Sequence, residues 1–261
     1  MKDLLSLNNR VALITGAGQG VGRQTALQFA AHGCAAVIVN DFHAERAASV
    51  AEEVRALGCQ AFVACGDITD FDFVNRMVAD AVEKAGTLDV LVNNAGNAGP
   101  TGTMDSLPPF WETGPKEWNM WLGTNLMGVL NVCRAAVPFM IKGGYGSIIN
   151  VISDAGRVGE PHLAVYSAAK AGAAGFSRAL AKAVGKHNIR VNSVSLGSID
   201  TPGIAPMIED QAVVTAMLKK YIIRRLGQPS DVANMILFLA SDASAWISGQ
   251  TYPVNGGYST S

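Results

Sequence analysis

Tyr166 and Lys170 stand four residues apart in the run Tyr166-Ser167-Ala168-Ala169-Lys170. The alanine-rich continuation to Val184 has the composition of a helix, and residues four apart on a helix share a face, so phenol and ammonium can point into one site. A free phenol has a pKa of ~10 and is a poor base at neutral pH, but a cation held close by favours the phenolate. The pairing would make this tyrosine a workable proton donor and acceptor.

A second pattern suits phosphate. Residues 11–15 form a short apolar run that ends in Gly16-Ala17-Gly18-Gln19-Gly20-Val21-Gly22, before a helix-like segment over 23–32. A strand, a glycine turn and a helix N-terminus make an anion site: backbone N–H groups and the helix dipole face the phosphate, and missing side chains let it approach. The spacing is T-G-x-x-x-G-x-G, not the G-x-G-x-x-G of the standard dinucleotide fingerprint. A second apolar run, 35–40, ends at Asp41, at about the distance beyond the glycines where an acidic side chain meets a ribose 2′-hydroxyl. A carboxylate there accepts hydrogen bonds from a free diol and repels a 2′-phosphate, and Asn40, Phe42 and His43 supply no fixed cation to offset it. The expected cofactor is therefore NAD. Asp41 also suits the N-cap of the next helix, and the two roles are compatible.

The elements that must position these groups alternate along the chain. Strands are expected at 11–15, 35–40, 61–65, 88–92, 147–152, 190–195 and 251–254, the fifth delivering Ser153 at its carboxyl end. Helices are expected at 43–57, which stops at Gly58, over a stretch with Phe73, Val74, Met77, Val78, Ala81 and Val82 on one face, and at 116–140 and 229–240. Short buried strands alternating with amphipathic helices predict an α/β fold: one doubly wound (Rossmann) parallel sheet of about seven strands, helices on both faces, in a single domain over 1–261. Ligands of such sheets bind at the carboxyl ends of the strands, where the glycine turn, Asp41, Asp67 and Asn93 all fall.

Composition narrows the partners. Of 261 residues, 49% are hydrophobic and 16% charged, well under the usual quarter, so a partner subunit is expected to cover part of the surface. A formal net charge of -1 and a pI near 6.4 give no basic footprint for nucleic acid or an anionic membrane. Residues 1–10 have no apolar core to act as a signal peptide, and no run of eighteen apolar residues suggests a membrane span. Cys34, Cys59, Cys65 and Cys133 form no C-x-x-C pair and, with the histidines, no metal-ligand spacing, so a reducing cytoplasmic setting and no metal are expected.

The motifs taken in order are Thr15 to Gly22, Asp67, Asn93 to Gly96, Asn125, Ser153, Tyr166-x-x-x-Lys170, and the segment from Arg190-Val191-Asn192 to Thr201. At these separations the chain resembles the short-chain dehydrogenase/reductases of single-domain length, over residues 10–258. The resemblance implies a hydride-transfer site. In it Tyr166 would exchange the proton of the alcohol oxygen, Ser153 would polarise that oxygen, and Lys170 would depress the tyrosine pKa while binding the nicotinamide ribose. Asn125 would hold a water linking Lys170 to solvent. Asp67 would meet the adenine, Asn94 and Gly96 the adjacent ribose region, and Ile199 with Thr201 the carboxamide end. Gly16, Gln19, Gly20, Val21, Gly22, Ile68, Ala95 and Gly197 complete the implied cofactor contacts. A homotetramer is implied as well, with helices 116–140 and 162–184 in one interface and 247–258 in another. Two positions depart from the family's usual pattern: Ile152 before the serine and Leu196 before the glycine after strand six. Neither removes a reacting group.

The expected reaction is the NAD-dependent interconversion of a secondary alcohol and its ketone. A 3-ketoacyl-thioester reductase is an alternative, against which Asp41 argues, because such reductases resemble NADPH users. A catalytically silent nucleotide-binding member is another, and the intact Ser153, Tyr166, Lys170 and Asn125 argue against that. Walls for a small-molecule substrate are expected from 97–121, 154–162 and 203–221, the last resembling the family's mobile lid. They carry Met104, Phe110, Trp111, Ile204, Met207 and Ile208. Trp111, Asp154, His162 and Met207 are the candidate contacts. Such walls favour a bulky cyclic or aromatic alcohol over a sugar, and Lys219, Lys220, Arg224 and Arg225 admit a CoA thioester.

Overall fold

The computed structural model describes residues 3–97, 107–205 and 210–260. Seven strands form one parallel sheet: β1 (Val11–Ile14), β2 (Ala36–Asp41), β3 (Gln60–Cys65), β4 (Val90–Asn93), β5 (Gly146–Ser153), β6 (Ile189–Leu196) and β7 (Thr251–Val254). Their order is β3-β2-β1-β4-β5-β6-β7, so the chain reverses direction of growth between β1 and β4, and a crevice opens above their carboxyl ends. The helices are α1 (Gly20–Ala31), α2 (Ala44–Ala56), α3 (Phe71–Ala85), α4 (Pro115–Leu122), α5 (Gly128–Gly143), α6 (Ala155–Val158), α7 (Ala164–Val184), α8 (Gln211–Leu218) and α9 (Pro229–Ala240).

Successive strand residues point to opposite faces, and both faces here are apolar because both are covered. Ala12, Ile14, Val37, Val39, Val92 and Ile149 pack with α1, α2 and α9 on one side. Leu13, Ile38, Leu91, Ile148 and Val191 pack with α3, α5 and α7 on the other. A buried polar chain sets α7 over the sheet: Asn93 Nδ2 donates to Asn150 Oδ1 (2.7 Å), Asn150 Nδ2 to Ser177 Oγ (2.7 Å), and Ser193 Oγ to the same hydroxyl (3.1 Å). Breaking one such buried link costs about 1–3 kcal/mol, which ties α7 to β4, β5 and β6 in one register.

Three elements differ from their expected form. Helix α1 begins at Gly20 rather than at residue 23, which brings the last two glycines of the turn into its first turn. The helix expected at 116–140 is interrupted by a π-helical turn, Gly123–Met127, between α4 and α5. Within 203–221 stands α8, opened by Asp210, whose side chain accepts from Ala212 N–H at 2.7 Å. The helical stretch Pro115–Gly143 is long and apolar enough to cross a membrane by length and composition alone, but half of its most apolar eighteen-residue window is buried inside the protein, as in a core helix.

Candidate active site

The site assembles where the strands end. Gly16 takes the left-handed conformation (φ +60), and the turn it opens leads into α1. Gln19 is the extended N-cap of α1, no side chain caps that end, and its first turn holds no acidic residue, so its N–H groups and positive dipole end suit an anion. Only glycine fits at Gly22: a Cβ would stand 2.3 Å from the Gly16 carbonyl oxygen. Val21 is buried in the core, so its side chain packs and only its backbone lies in the turn. On the opposite wall Thr201 approaches Gly20, its Cγ2 3.1 Å from where a Cβ would be.

Asp41 is the last residue of β2 and is 6% exposed. Its Oδ2 accepts Gly18 N–H at 2.9 Å and its Oδ1 accepts His43 N–H at 2.9 Å. His43, not Asp41, is the N-cap of α2, so the acid makes a local turn and remains at the mouth of the glycine loop. A Cβ on Gly18 would meet both Asp41 Oδ2 and Arg46 Cβ at 2.6 Å. Arg46 is thus a charged neighbour of the site that the sequence did not point to, because it arrives from the first turn of α2 rather than from the residues flanking Asp41.

The residues expected to meet adenine and ribose follow. Asp67 is exposed and accepts Thr69 N–H at 2.8 Å. Ile68 is buried, its side chain against Gly128, so it contributes packing and backbone. Asn94 uses its side chain on the turn itself, donating to the carbonyls of Thr15 and Gly16 at 3.0 Å each, while Thr15 Oγ1 accepts the N–H of Asn94 and Ala95 at 3.1 Å. Thr15 is therefore the clamp between β1 and β4. Gly96 faces the catalytic side, where a Cβ would lie 3.0 Å from Asn125 Oδ1 and 3.3 Å from Lys170 Nζ.

The candidate reacting groups come from three elements. Asn125, fully buried in the π turn, donates to the carbonyls of Asn97 (2.9 Å) and Trp121 (3.0 Å) and accepts Asn97 N–H (3.3 Å). Such turns widen a helix locally and expose backbone that a regular helix would use. Lys170 Nζ donates to the Val151 carbonyl at 3.0 Å and lies 5.8 Å from the centre of the Tyr166 ring. Burial lowers the Lys170 pKa to about 8. Burial raises that of Tyr166, and a hydrogen bond with Ser153 works against the rise. The direction is thus opposite to the lowering expected from Lys170: burial outweighs the Ser153 hydrogen bond, and the ammonium stands 5.8 Å from the ring centre. Ser153 Oγ also accepts Ala155 N–H at 3.2 Å, which holds it at the end of β5.

Beyond β6, Gly197 packs against Asn255 and Ile199 is buried, bridged to Gly227. Of the candidate substrate contacts, Asp154 is corrected. It is 2% exposed, accepts from Ser195 Oγ (2.6 Å) and from Asn255 Nδ2, and pairs with Arg157 (2.9 Å), so it joins β5, β6 and the C-terminal segment instead of facing a ligand. Trp111 is 81% exposed, while its neighbour Phe110 stacks on Trp118 at 5.6 Å. His162 lines a small cavity of about 70 Å³ with Leu107, Phe110, Trp118, Trp121 and Val165. Trp121 stands edge-on to Tyr166, centroids 5.9 Å apart. Met207, like Met104 and Ile208, lies outside the described residues.

A family model described as enoyl-(acyl carrier protein) reductase matches residues 16–259. The chain is 40% identical to the 3-oxoacyl-(acyl-carrier-protein) reductase FabG of Thermotoga maritima, over 97% of this chain and 99% of that one. It is 37% identical to 7alpha-hydroxysteroid dehydrogenase of Escherichia coli, over 98% and 96%. It is similar to the crystal structure of a gluconate 5-dehydrogenase from Burkholderia cenocepacia in complex with NADP and tartrate, with TM-score 0.90 and 31% identity, covering 98% and 97%.

Proposed function

Since the chain belongs to the short-chain dehydrogenase/reductase family, we propose that it is an NAD-dependent oxidoreductase that interconverts a bulky, apolar secondary alcohol, cyclic or aromatic, and its ketone. The observation that carries this is the gathering of Ser153, Tyr166, Lys170 and Asn125 beside a helix N-terminus that no side chain caps. The donor set fits a nicotinamide dinucleotide: N–H groups for a pyrophosphate, a carboxylate at the ribose position, and glycines where a Cβ would fill the cradle.

The bound dinucleotide would supply the hydride acceptor or donor. Tyr166 gives or takes the proton of the alcohol oxygen, and Ser153 holds that oxygen by a hydrogen bond. Lys170, fixed by the Val151 carbonyl, places a positive charge beneath the phenol and offers its remaining donors to a ribose. Asn125 shapes the path by which Lys170 reaches solvent. Hydride and proton leave one carbon–oxygen unit in opposite directions, so the protein's task is orientation and electrostatics.

NAD is preferred over NADP on the strength of Asp41, although one structural relative holds NADP. The apolar, aromatic lining beside Tyr166, from Phe110, Trp118, Trp121 and Val165, supports an apolar group on the substrate. Arg225 is engaged by Asp231 (2.6 and 3.0 Å), which leaves exposed Lys219, Lys220 and Arg224 for any anionic carrier such as CoA. A ketoacyl-thioester reductase is the second reading, favoured by the identity to FabG. We also propose a cytoplasmic homotetramer. Fully exposed Trp246 and largely exposed Ile222 and Ile223 near the C-terminal edge support an apolar contact there. Following the absorbance of reduced nicotinamide with NAD or NADP and a panel of cyclohexanol-type, aryl, 3-hydroxyacyl-CoA and polyol substrates tests the proposal. Turnover of ring alcohols with NAD is expected, and a clear preference for polyols, or for 3-ketoacyl thioesters with NADPH, would overturn it.

A further inference from the structure

The loop that leaves β6 is held from behind by one phenol. Tyr221, 6% exposed, accepts the backbone N–H of Ser198 at 2.9 Å and donates its own proton to Ser198 Oγ at 2.9 Å. That hydroxyl reaches Met217 Sδ of α8 at 3.6 Å, and the Ser198 carbonyl accepts Gly227 N–H at 3.0 Å. Ser198 is thereby fixed at its nitrogen, its hydroxyl and its carbonyl. The next residue, Ile199, is paired with Gly227, and Asp200 N–H goes to the Gly227 carbonyl at 2.8 Å.

The phenol is itself immobilised. Tyr258 lies against its ring at 5.2 Å and donates its hydroxyl proton to Glu160, which stands between β5 and α7. Close packing confirms the fit, since a Cβ on Gly197 or Gly256 would come within 3.2 Å of the ring. One buried tyrosine therefore links the end of the α8 segment, the C-terminal segment (through its ring) and the loop carrying Ile199 and Thr201 (through its hydroxyl).

We infer that Tyr221 is a positioning residue for the nicotinamide half of the site, acting through Ser198 to hold Ile199 and Thr201 where a carboxamide would meet them. The inference rests on the cofactor reading given above. The adenosine half is built from β1, β2 and β3 and their loops, so the two halves can be perturbed separately. Removing the hydroxyl leaves the part-buried Ser198 N–H without its acceptor and frees the loop to shift about Gly197.

Calorimetric titration of wild type, Tyr221→Phe and Ser198→Ala with NADH and with ADP-ribose, which lacks the nicotinamide ring, tests this alongside melting temperature. One hydrogen bond corresponds to roughly a two- to tenfold change in affinity. Tyr221→Phe should weaken NADH several-fold while ADP-ribose stays within about twofold, and Ser198→Ala should shift NADH in the same direction by less, because the bond to its N–H survives. Equal weakening of both ligands, or unchanged NADH affinity, would overturn the role of Tyr221. Should Tyr221→Phe fail to fold, Ser198→Ala carries the same contrast. Wild-type protein that binds neither ligand would overturn the cofactor reading itself, and the inference with it.

Discussion

The carboxylate of Asp41 accepts the backbone N–H of Gly18 at 2.9 Å, so the acid at the end of β2 and the glycine turn after β1 form one rigid unit. The carboxylate cannot swing aside for a 2′-phosphate without giving up that bond. NAD should therefore outcompete NADP by at least tenfold in kcat/KM, the ratio that about 1.4 kcal/mol of unfavourable charge contact produces. Asp41→Ala should narrow the preference. Arg46, whose Cβ lies over the same glycine, brings a cation that can oppose it, so Arg46→Ala should weaken NADP more than NAD. Equal use of both cofactors by the wild type would contradict the assignment.

Tyr166→Phe should abolish turnover and leave NAD binding nearly intact, measured by kinetics and titration side by side. Oxidation needs the basic form of the phenol and reduction the acid form, so oxidation should rise with pH and reduction fall. Burial holds Tyr166 above its ordinary range in the protein alone, so its tyrosinate absorbance, taken as wild type minus the Phe variant, should appear only at strongly alkaline pH. A cationic nicotinamide should draw it lower. A pH-independent rate, or an active Phe variant, would remove Tyr166 from the chemistry.

Lys170 should cost stability. Its pKa falls from 10.5 to about 8 on burial, which corresponds to roughly 3 kcal/mol. Because the unfolded chain binds the proton more tightly, the penalty is full below pH about 8 and fades as pH rises toward 10.5. Lys170→Met should thus be inactive yet more stable near neutral pH, by about 2 kcal/mol after the lost bond to Val151 is deducted, with the gain shrinking at alkaline pH. Urea denaturation across pH measures it, and a variant less stable than wild type at pH 6 would refute the account.

Trp121 both lines the cavity and stands edge-on to Tyr166, and edge-to-face aromatic pairs contribute about 0.5–1.5 kcal/mol. Trp121→Leu should lower kcat/KM for ring alcohols by about two- to tenfold more than for small acyclic ones. Uniform loss across the panel would assign the residue to folding alone.

The sequence carried those parts of the molecule that depend on local spacing. The Tyr166–Lys170 pair, the glycine turn and Asp41 are each set by neighbours along the chain, and all meet at the strand ends. What escaped depends on contacts between distant segments. Asp154 reads as a loop carboxylate after Ser153, yet partners from β6 and the C-terminal segment enclose it. Phe110 and Trp111 are equivalent in composition, and only the short turn they occupy decides which faces Trp118. The direction of the Tyr166 pKa hinges on desolvation, which no spacing conveys. Tyr221 gave no signal, because its partners lie 23 and 37 residues away.

The π turn at Gly123–Met127 also bears on how the gene can change. A turn of this kind holds one residue more than the helix on either side needs. An in-frame loss of a single codon there would let α4 run smoothly into α5, restoring regular pairing while both flanks keep their faces. Folding would survive such a deletion, and Asn125 would lose the widened backbone that sets it beside Lys170. Over these five residues the chain is buffered against damage to its shape and exposed to damage to its chemistry, the reverse of what holds along the core strands.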